Sequence, residues 1–325
     1  MTKSDTVNIR ALKPDDLDAV VEIDTGLVGR SRRGFFEKRL EAAIAAPDDF
    51  VIIGTDEGQS LKGYVFTRIQ GGDFGEHEKT AVLDVIGVSP DAQSKGLGRG
   101  LIENLDQRLE KREVREIRTL AEWRFHPLLK FFDAAGFDLA PTHVFESAVP
   151  GVIAPTDASS AGDGDVRDVD LEFQSPGDIQ FRPMRAEDLD SLVSIDRRIT
   201  DQDRRQYYQH KIAEMLDQTG IRASRVAEID GDVVGVVMAR VDYGEFGRTE
   251  PVAVMDTITV DPGYRHRGVG HELMSHLLVN LDAVDVEAVH TNVDWENFDM
   301  LSFLGSCGFQ PSQRLVFRRP VPRNH

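Results

Sequence analysis

Two stretches of the chain combine glycines, cations and an abrupt change of hydrophobic period. The first is Leu83-Asp-Val-Ile-Gly-Val-Ser-Pro-Asp-Ala-Gln-Ser-Lys-Gly-Leu-Gly-Arg-Gly-Leu101. The second is Met255-Asp-Thr-Ile-Thr-Val-Asp-Pro-Gly-Tyr-Arg-His-Arg-Gly-Val-Gly-His-Glu-Leu273. Each reads as an apolar strand, a turn at Pro90 or Pro262, a short glycine loop and a helix. Apolar residues recur at Leu97, Leu101, Ile102, Leu105 and Leu109, and again at Val269, Leu273, Met274, Leu277 and Leu281. That is helical spacing. A helix start presents unpaired N–H groups and the positive end of the helix dipole. Glycine lets backbone approach a ligand closely. Such a junction favours a phosphate or pyrophosphate. Lys95 and Arg99 surround the first loop; Arg265, His266, Arg267 and His271 surround the second.

Val88-Ser-Pro90 followed by Gln93-Ser-Lys-Gly96-Leu-Gly98, and Val260-Asp-Pro262 followed by Arg265-His-Arg-Gly268-Val-Gly270, resemble one known signature. It is the acetyl-CoA loop of the GNAT N-acetyltransferase superfamily: Gln or Arg, two residues, Gly, one residue, then Gly or Ala. Two copies, each between a strand and an amphipathic helix, carry the resemblance. A dinucleotide-binding loop fits less well, because Gly96-Leu-Gly98-Arg-Gly100 has the wrong glycine spacing.

The 325 residues suggest two domains. An apolar fraction of 40% and a charged fraction of 29% fit a soluble globular protein. A formal charge of −18 argues against nonspecific nucleic-acid binding and is compatible with a cationic substrate. The single cysteine, Cys307, is expected to be a small packing residue and suits a reducing, cytoplasmic setting. No apolar run reaches membrane-spanning length, so no membrane partner is expected. No metal-ligand pattern stands out.

The chain repeats itself at a constant offset of 172 residues, the distance from Gly96 to Gly268. At that offset Ile23-Asp24 meets Ile195-Asp196, Arg32-Arg33 meets Arg204-Arg205, and Phe74-Gly75 meets Phe246-Gly247. Trp123 meets Trp295, and Val144-Phe145 meets Val316-Phe317. A whole domain is therefore duplicated. The division is 7–149 for the first domain, 150–178 for a linker and 179–322 for the second. From Thr156 to Asp178 the linker holds seven acids against Arg167 alone, and reads as an extended tether. The first repeat predicts strands at Val7–Arg10, Phe50–Thr55, Lys62–Ile69, Ala81–Val88, Glu116–Ala121 and His143–Val149. Helices are predicted at Pro14–Asp24, Ser31–Ala46, Leu97–Arg112 and Pro127–Ala135. The second repeat follows suit, with its second helix at Gln202–Gln218 and its last strand at Arg314–Arg318.

The resemblance covers roughly 10–149 and 181–320. It implies an α/β (α+β) fold of two tandem GNAT-like domains, each a mixed, mostly antiparallel sheet flanked by helices. It places the pantetheine arm beside Ile86-Gly87-Val88 and Ile258-Thr259-Val260. It makes Gln93, Ser94, Lys95, Gly96, Leu97, Gly98 and Arg99 cofactor-binding, with Arg265, His266, Arg267, Gly268, Val269, Gly270 and His271 their counterparts. Asn297 matches the family's cofactor-contacting Asn, where the first repeat has Phe125. The family's usual acid, a Tyr, is replaced by Phe132 and Leu304, and neither donates a proton.

Acetyl transfer from a thioester to an amine requires the amine to lose a proton, since an alkylammonium (pKa ~10) is not a nucleophile. The oxyanion needs a donor, and a backbone N–H suffices. The thiolate benefits from a proton source. Asp84 and Asp256 are the first candidates for the base; strand alternation puts them on the faces of Ile86 and Ile258. The alternative for each is a structural carboxylate paired with an Arg. Glu122 and Asp294, before the repeated Trp, are second candidates, with solvated strand ends as the alternative. Trp123 and Trp295 are expected mainly in core packing, or else along the cofactor groove. Arg32-Arg33 and Arg204-Arg205 read as solvated helix positions. Phe35-Phe36 and Tyr207-Tyr208 could wall the acceptor site, and the loops Asp73-Phe-Gly75 and Glu245-Phe-Gly247 could cover it. The expectation is an acetyl-CoA-dependent N-acetyltransferase acting on a small-molecule amine or on a protein N-terminus or lysine. The alternatives are a non-catalytic acyl-CoA sensor and a longer-chain acyltransferase. The halves are expected to pack as an intramolecular pseudo-dimer, with a homodimer also open.

Overall fold

The computed structural model describes residues 8–58, 60–70, 79–149, 179–213, 223–243 and 251–323. The linker 150–178 and the loops 73–75 and 245–247 lie outside the described residues. The first repeat runs β1 (Asn8–Ala11), α1 (Leu17–Val28), α2 (Arg33–Ala45), β2 (Phe50–Glu57), β3 (Ser60–Gln70), β4 (Lys79–Val88), α3 (Leu97–Glu110), β5 (Val114–Glu122), α4 (His126–Ala134) and β6 (Asp138–Ala148). The second runs β7 (Ile179–Pro183), α5 (Leu189–Thr200), α6 (Arg205–Ala213), β8 (Arg225–Ile229), β9 (Asp232–Tyr243), β10 (Pro251–Val260), α7 (Val269–Asp282), β11 (Ala288–Asp294), α8 (Phe298–Ser306) and β12 (Gln310–Pro320). The last strand of each repeat is longer than expected. Pro141 and Pro311, which argue against a strand interior, sit exposed inside these strands.

The chain divides into two compact units. Unit one holds the residues through Pro141 together with Gln313–His325, and unit two holds Thr142–Tyr243 and the residues through Ser312. Each unit is thus completed by a strand from the other repeat. In unit one the order is β1-β2-β3-β4-β5-β12, and in unit two β7-β8-β9-β10-β11-β6. Pairing is antiparallel except for β4 with β5 and β10 with β11, which are parallel. β12 runs antiparallel to β5, Arg314 opposite Glu122, and β6 antiparallel to β11, Ala288 opposite Ala148.

In unit one, α3 and α4 cover one face of the sheet. Leu101, Ile102, Leu105 and Phe132 pack there with Leu83, Ile117 and, from β12, Phe317. The other face meets α1 and α2 through Val20, Phe35, Phe36, Tyr64 and Phe66. Unit two repeats both layers, with Phe145 of β6 in the α7-side core and Tyr208, Val236 and Met238 against α5 and α6.

A polar pair specifies which last strand completes unit one. Arg319 on β12 meets Asp106 on α3 at 2.9 Å. Burial pushes the Asp106 carboxyl up, with Arg319 opposing. At the 172-residue offset Asp106 corresponds to Leu278 of the second repeat, and Arg319 to Ser147 of the first. If each strand returned to its own repeat, Asp106 would face a serine and Arg319 a leucine. That buries a carboxylate without its cation. Arg319→Ser is therefore expected to lower stability at pH 7 by roughly 3–5 kcal/mol. The loss should shrink as pH falls and Asp106 takes up a proton. Adding Asp106→Leu should restore much of it, read from urea midpoints.

In unit two, His276 on α7 stacks on Phe181 of β7 with ring centroids 4.2 Å apart. Burial lowers its pKa from 6.5. The folded state thus prefers neutral imidazole, and the unfolded chain binds the proton more tightly. Stability is full above about pH 6.5 and declines as pH falls below it. His276→Phe should flatten that decline in thermal melts between pH 7 and pH 5.

Candidate functional site

The phosphate-loop candidates adopt one conformation twice. Ser94 and Gly96 have φ of 63° and 83°, and His266 and Gly268 have 60° and 85°. This alternation turns successive N–H groups toward one side, the geometry of an anion-binding nest. Gly96 and Gly268 stand at the N-termini of α3 and α7. The donors present fit a pyrophosphate. Gly98 is needed for packing instead. A Cβ there would lie 2.9 Å from the Phe131 ring, so its absence seats α3 against α4. Gly270 faces Phe303 in the same way at 3.2 Å. Leu97 and Val269 point their side chains into the cores and offer a ligand only backbone.

The side chains around the loops differ. Lys95 is held by Glu57 at 3.1 Å, and Gln93 donates to the Val88 carbonyl at 3.1 Å. Arg99 is exposed, 4.0 Å from Glu103. In unit two Arg267 lies over the Tyr264 ring at 5.1 Å, while His271 hydrogen-bonds Ser306 Oγ at 2.9 Å. The second loop has two cations, Arg265 and Arg267, as the first has Lys95 and Arg99, and adds the imidazoles of His266 and His271.

Behind each loop the sheet opens. β4 pairs with β5 only from Lys79 to Val82, and β10 with β11 only from Val252 to Val254. Beyond that point the parallel strands separate. Thr119 Oγ donates to the Leu83 carbonyl across the start of the gap at 2.9 Å. Ile86, Val88, Ile258 and Val260 line the α3 or α7 side of it.

Asp84 and Asp256 both sit in β-bulges. β3 pairs Phe66 with Val85 and Thr67 with Leu83, skipping Asp84; β9 pairs Ala239 with Met255 and Met238 with Thr257, skipping Asp256. The extra residue reverses the side-chain phase. Leu83 and Ile86 therefore pack on the α3 side, while Val85 packs on the α2 side. Asp84 turns to the α2 side as well, where its partners are. The expectation that the acids share a face with Ile86 and Ile258 is corrected: they lie opposite them.

The two carboxylates are held differently. Arg68 donates to both oxygens of Asp84, at 2.8 and 2.9 Å, and Arg39 of α2 stands 3.3 Å away. Asp256 has Lys211 of α6 at 3.5 Å and Arg240 at 3.7 Å. Its Oδ2 is buried without a hydrogen-bond partner among the described residues. Beside it, Tyr207 Oη and Thr257 Oγ1 share a hydrogen bond of 3.1 Å. The equivalent residues in unit one are Phe35 and Val85.

That face of unit one is filled by rings. Phe35, Phe36, Tyr64 and Phe66 pack edge-on and tilted, with centroids 5.0–6.5 Å apart. The Tyr64 ring occupies the space over Gly87, where a Cβ would lie 2.6 Å from it. Unit two replaces Tyr64 by Val236, Phe66 by Met238 and Gly87 by Thr259.

Beneath lies a network that residue patterns alone did not reveal. Arg32, expected to be solvated, is buried and donates to Asp24 at 2.7 Å; Tyr64 donates to the same carboxylate at 2.6 Å. Burial and that carboxylate push the Tyr64 phenol well up. In unit two Arg204 donates to Asp196 at 2.7 Å, and Tyr208 Oη donates to the same carboxylate at 3.1 Å. The phenol comes from β3 in one unit and α6 in the other. The signal was the repeated Asp and Arg eight residues apart. Arg33 and Arg205 are exposed as expected, and pair with Asp18 and Asp190.

Glu122 and Asp294 are exposed at strand ends; Asp294 accepts from the Glu296 amide at 2.8 Å. Trp123 and Trp295 are not core residues: 48% and 41% of their surface is exposed. Arg124 lies over Trp123, and His143 beside Trp295. Both follow the last paired residue of their strand, so no layer covers them. Asn297 caps α8, accepting from the Met300 amide at 3.2 Å; Phe125 gives α4 no such cap. Phe132 and Leu304 are fully buried. Cys307 is half-buried, and burial raises its thiol pKa. Among the described residues no three His, Cys, Asp or Glu side chains gather as a metal site, and no helix is long and apolar enough to cross a membrane.

A comparison with curated proteins finds no match. Solved structures share the fold at low identity. A GCN5-related N-acetyltransferase from Sphaerobacter thermophilus aligns with TM-score 0.63 and 14% identity over 100% of this chain and 98% of its own. A tandem GNAT protein from the clavulanic acid biosynthesis pathway aligns with TM-score 0.62 and 16% identity over 98% and 100%. A putative acetyltransferase from Pyrococcus horikoshii aligns with TM-score 0.52 and 14% identity over 98% and 91%. The acetyltransferase (GNAT) family matches twice, at residues 19–137 and 186–309. With the duplicated nest, bulge and opened sheet, this places the chain in the GNAT acetyltransferase family as a tandem duplication of its domain.

Proposed function

We propose that the chain transfers acetyl from acetyl-CoA to a primary amine, and that unit two performs the reaction. The observation that carries this is the contrast on the bulge face. Unit one presents a packed aromatic cluster and a carboxylate gripped by Arg68 and Arg39. Unit two presents Tyr207 and Thr257 hydroxyls and an Asp256 oxygen without a hydrogen bond. An amine needs an acceptor with an available lone pair to lose its proton. Asp256 Oδ2 offers one, while both oxygens of Asp84 are engaged.

The roles in unit two follow from placement. The nest from Arg265 to Gly270 and the start of α7 hold the phosphates, with Arg267 and His271 at hand. The pantetheine arm lies in the gap between β10 and β11, along Ile258 and Val260, and Asn297 keeps the start of α8 in place. The bulge leaves backbone N–H groups out of the β9 ladder, and these suit a developing oxyanion. Asp256 receives the excess proton of the ammonium. Asp294 is the second candidate, acting through water. In this reading the unit one loop and Asp84 serve structure, with Gln93, Lys95 and Arg99 as a second anion site.

An acyl-CoA sensor is the competing reading, favoured by the buried Leu304 and Phe132. Thiol release separates the two. Acetyl-CoA with spermidine, a lysine peptide or a free amino acid is expected to release thiol with at least one amine, faster than longer acyl-CoA donors do. Asp256→Asn should lower kcat/KM on the order of a hundredfold. Binding of acetyl-CoA without thiol release for any amine would support the sensor instead.

A further inference from the structure

Tyr207 and Thr257 place hydroxyls where unit one has a phenyl ring and a methyl group, Phe35 and Val85. Both unit one residues pack in an apolar cluster. In unit two the pair meets at 3.1 Å. Tyr207 and Lys211 lie one turn apart on α6 and touch neighbouring residues of β10, Thr257 and Asp256. Thr257 stands three residues past Val254, the last residue of β10 paired with β11. The hydroxyl pair is therefore on the opened part of the sheet, beside the bulge.

We propose that Tyr207 and Thr257 form a proton relay between the attacking nitrogen and the leaving sulfur. This rests on the acetyl-transfer reading above and deepens it. A hydroxyl both donates and accepts, whereas an ionised carboxylate only accepts. Asp256 removes the first proton, which turns ammonium into amine; a second proton must still pass from nitrogen to sulfur. When the amine attacks the thioester carbonyl, a C–N bond forms and the C–S bond breaks. Nitrogen then sheds one proton and sulfur gains one. The relay moves it in three transfers: nitrogen to the nearer hydroxyl oxygen, across the 3.1 Å hydrogen bond, and from the second hydroxyl to sulfur. Both hydroxyls end as they began, and no other reactant is consumed. Leu304, in the α8 slot, has no proton to offer.

The test uses the full chain with Tyr207→Phe, Thr257→Val and both together. These substitutions install side chains that unit one already carries at the same positions. The probe is thiol release from acetyl-CoA with hydroxylamine, an amine that is neutral at pH 7 and needs no prior deprotonation. Each single variant is expected to lose on the order of a hundredfold in kcat, with KM for acetyl-CoA within about twofold. The double variant should be no slower than the slower single, because two members of one relay fail as a unit. If Tyr207→Phe fails to melt cooperatively, Thr257→Val alone decides the matter. A kcat within about twofold of the parent in either folded single variant would overturn the relay, as would losses that multiply in the double. A parent chain that binds acetyl-CoA yet releases no thiol with hydroxylamine, spermidine, a lysine peptide or a free amino acid would overturn the acetyl-transfer reading, and the relay with it.

Discussion

The one-residue bulge in the strand before each glycine loop is the constraint on which the site depends. Without it, strict alternation would send Asp84 and Asp256 to the same side as Ile86 and Ile258. With it, the strand keeps apolar residues toward α3 or α7 on both sides of the bulge, and turns one acid toward α2 or α6. Bulges also sharpen local twist. The parallel partner strands separate near the same point, after Val82 and Val254. An acid, an opening and a set of unladdered backbone groups thus come together at one place on the strand.

Duplication let the two copies specialise around that shared frame. The Asp–Arg–Tyr network beneath it is kept in both, although its phenol comes from Tyr64 in one and Tyr208 in the other. With its phenol on α6 at Tyr208, unit two has Val236 at the position of Tyr64 and a second hydroxyl at Tyr207. Unit one instead uses its aromatic residues to fill the equivalent space, down to the ring of Tyr64 over Gly87. Burial of four rings stabilises a sheet face well, and the polar groups on it are already engaged, Tyr64 with Asp24 and Asp84 with Arg68 and Arg39. The exchanged last strands and the Asp106–Arg319 pair make each unit depend on residues from both repeats.

Much of this was legible in the sequence. Glycine spacing, helical periodicity and the constant offset between repeats predicted the glycine loops, α3, α7 and the tandem fold. What stayed hidden depends on pairing rather than on pattern. A bulge is a property of two strands, and nothing in Leu83-Asp-Val-Ile shows that β3 will skip Asp84. The exchange of β6 and β12 was hidden because their apolar patterns are interchangeable; Asp106 and Arg319, where the other repeat has Leu278 and Ser147, are one trace of it. Arg32 read as solvated because its partner, Asp24, lies on another helix. Trp123 and Trp295 read as core by residue type, yet they fall just past the ends of the pairing that would have covered them.

The most direct measurement is acetyl-CoA turnover by the chain carrying Arg265→Glu with Arg267→Glu, two exposed residues of the unit two nest. Losing two charge-assisted phosphate contacts should lower kcat/KM by at least about tenfold, even if calorimetry still detects acetyl-CoA bound elsewhere on the chain. Turnover at the level of the unsubstituted chain would contradict the account, because it would place the working cofactor site outside unit two.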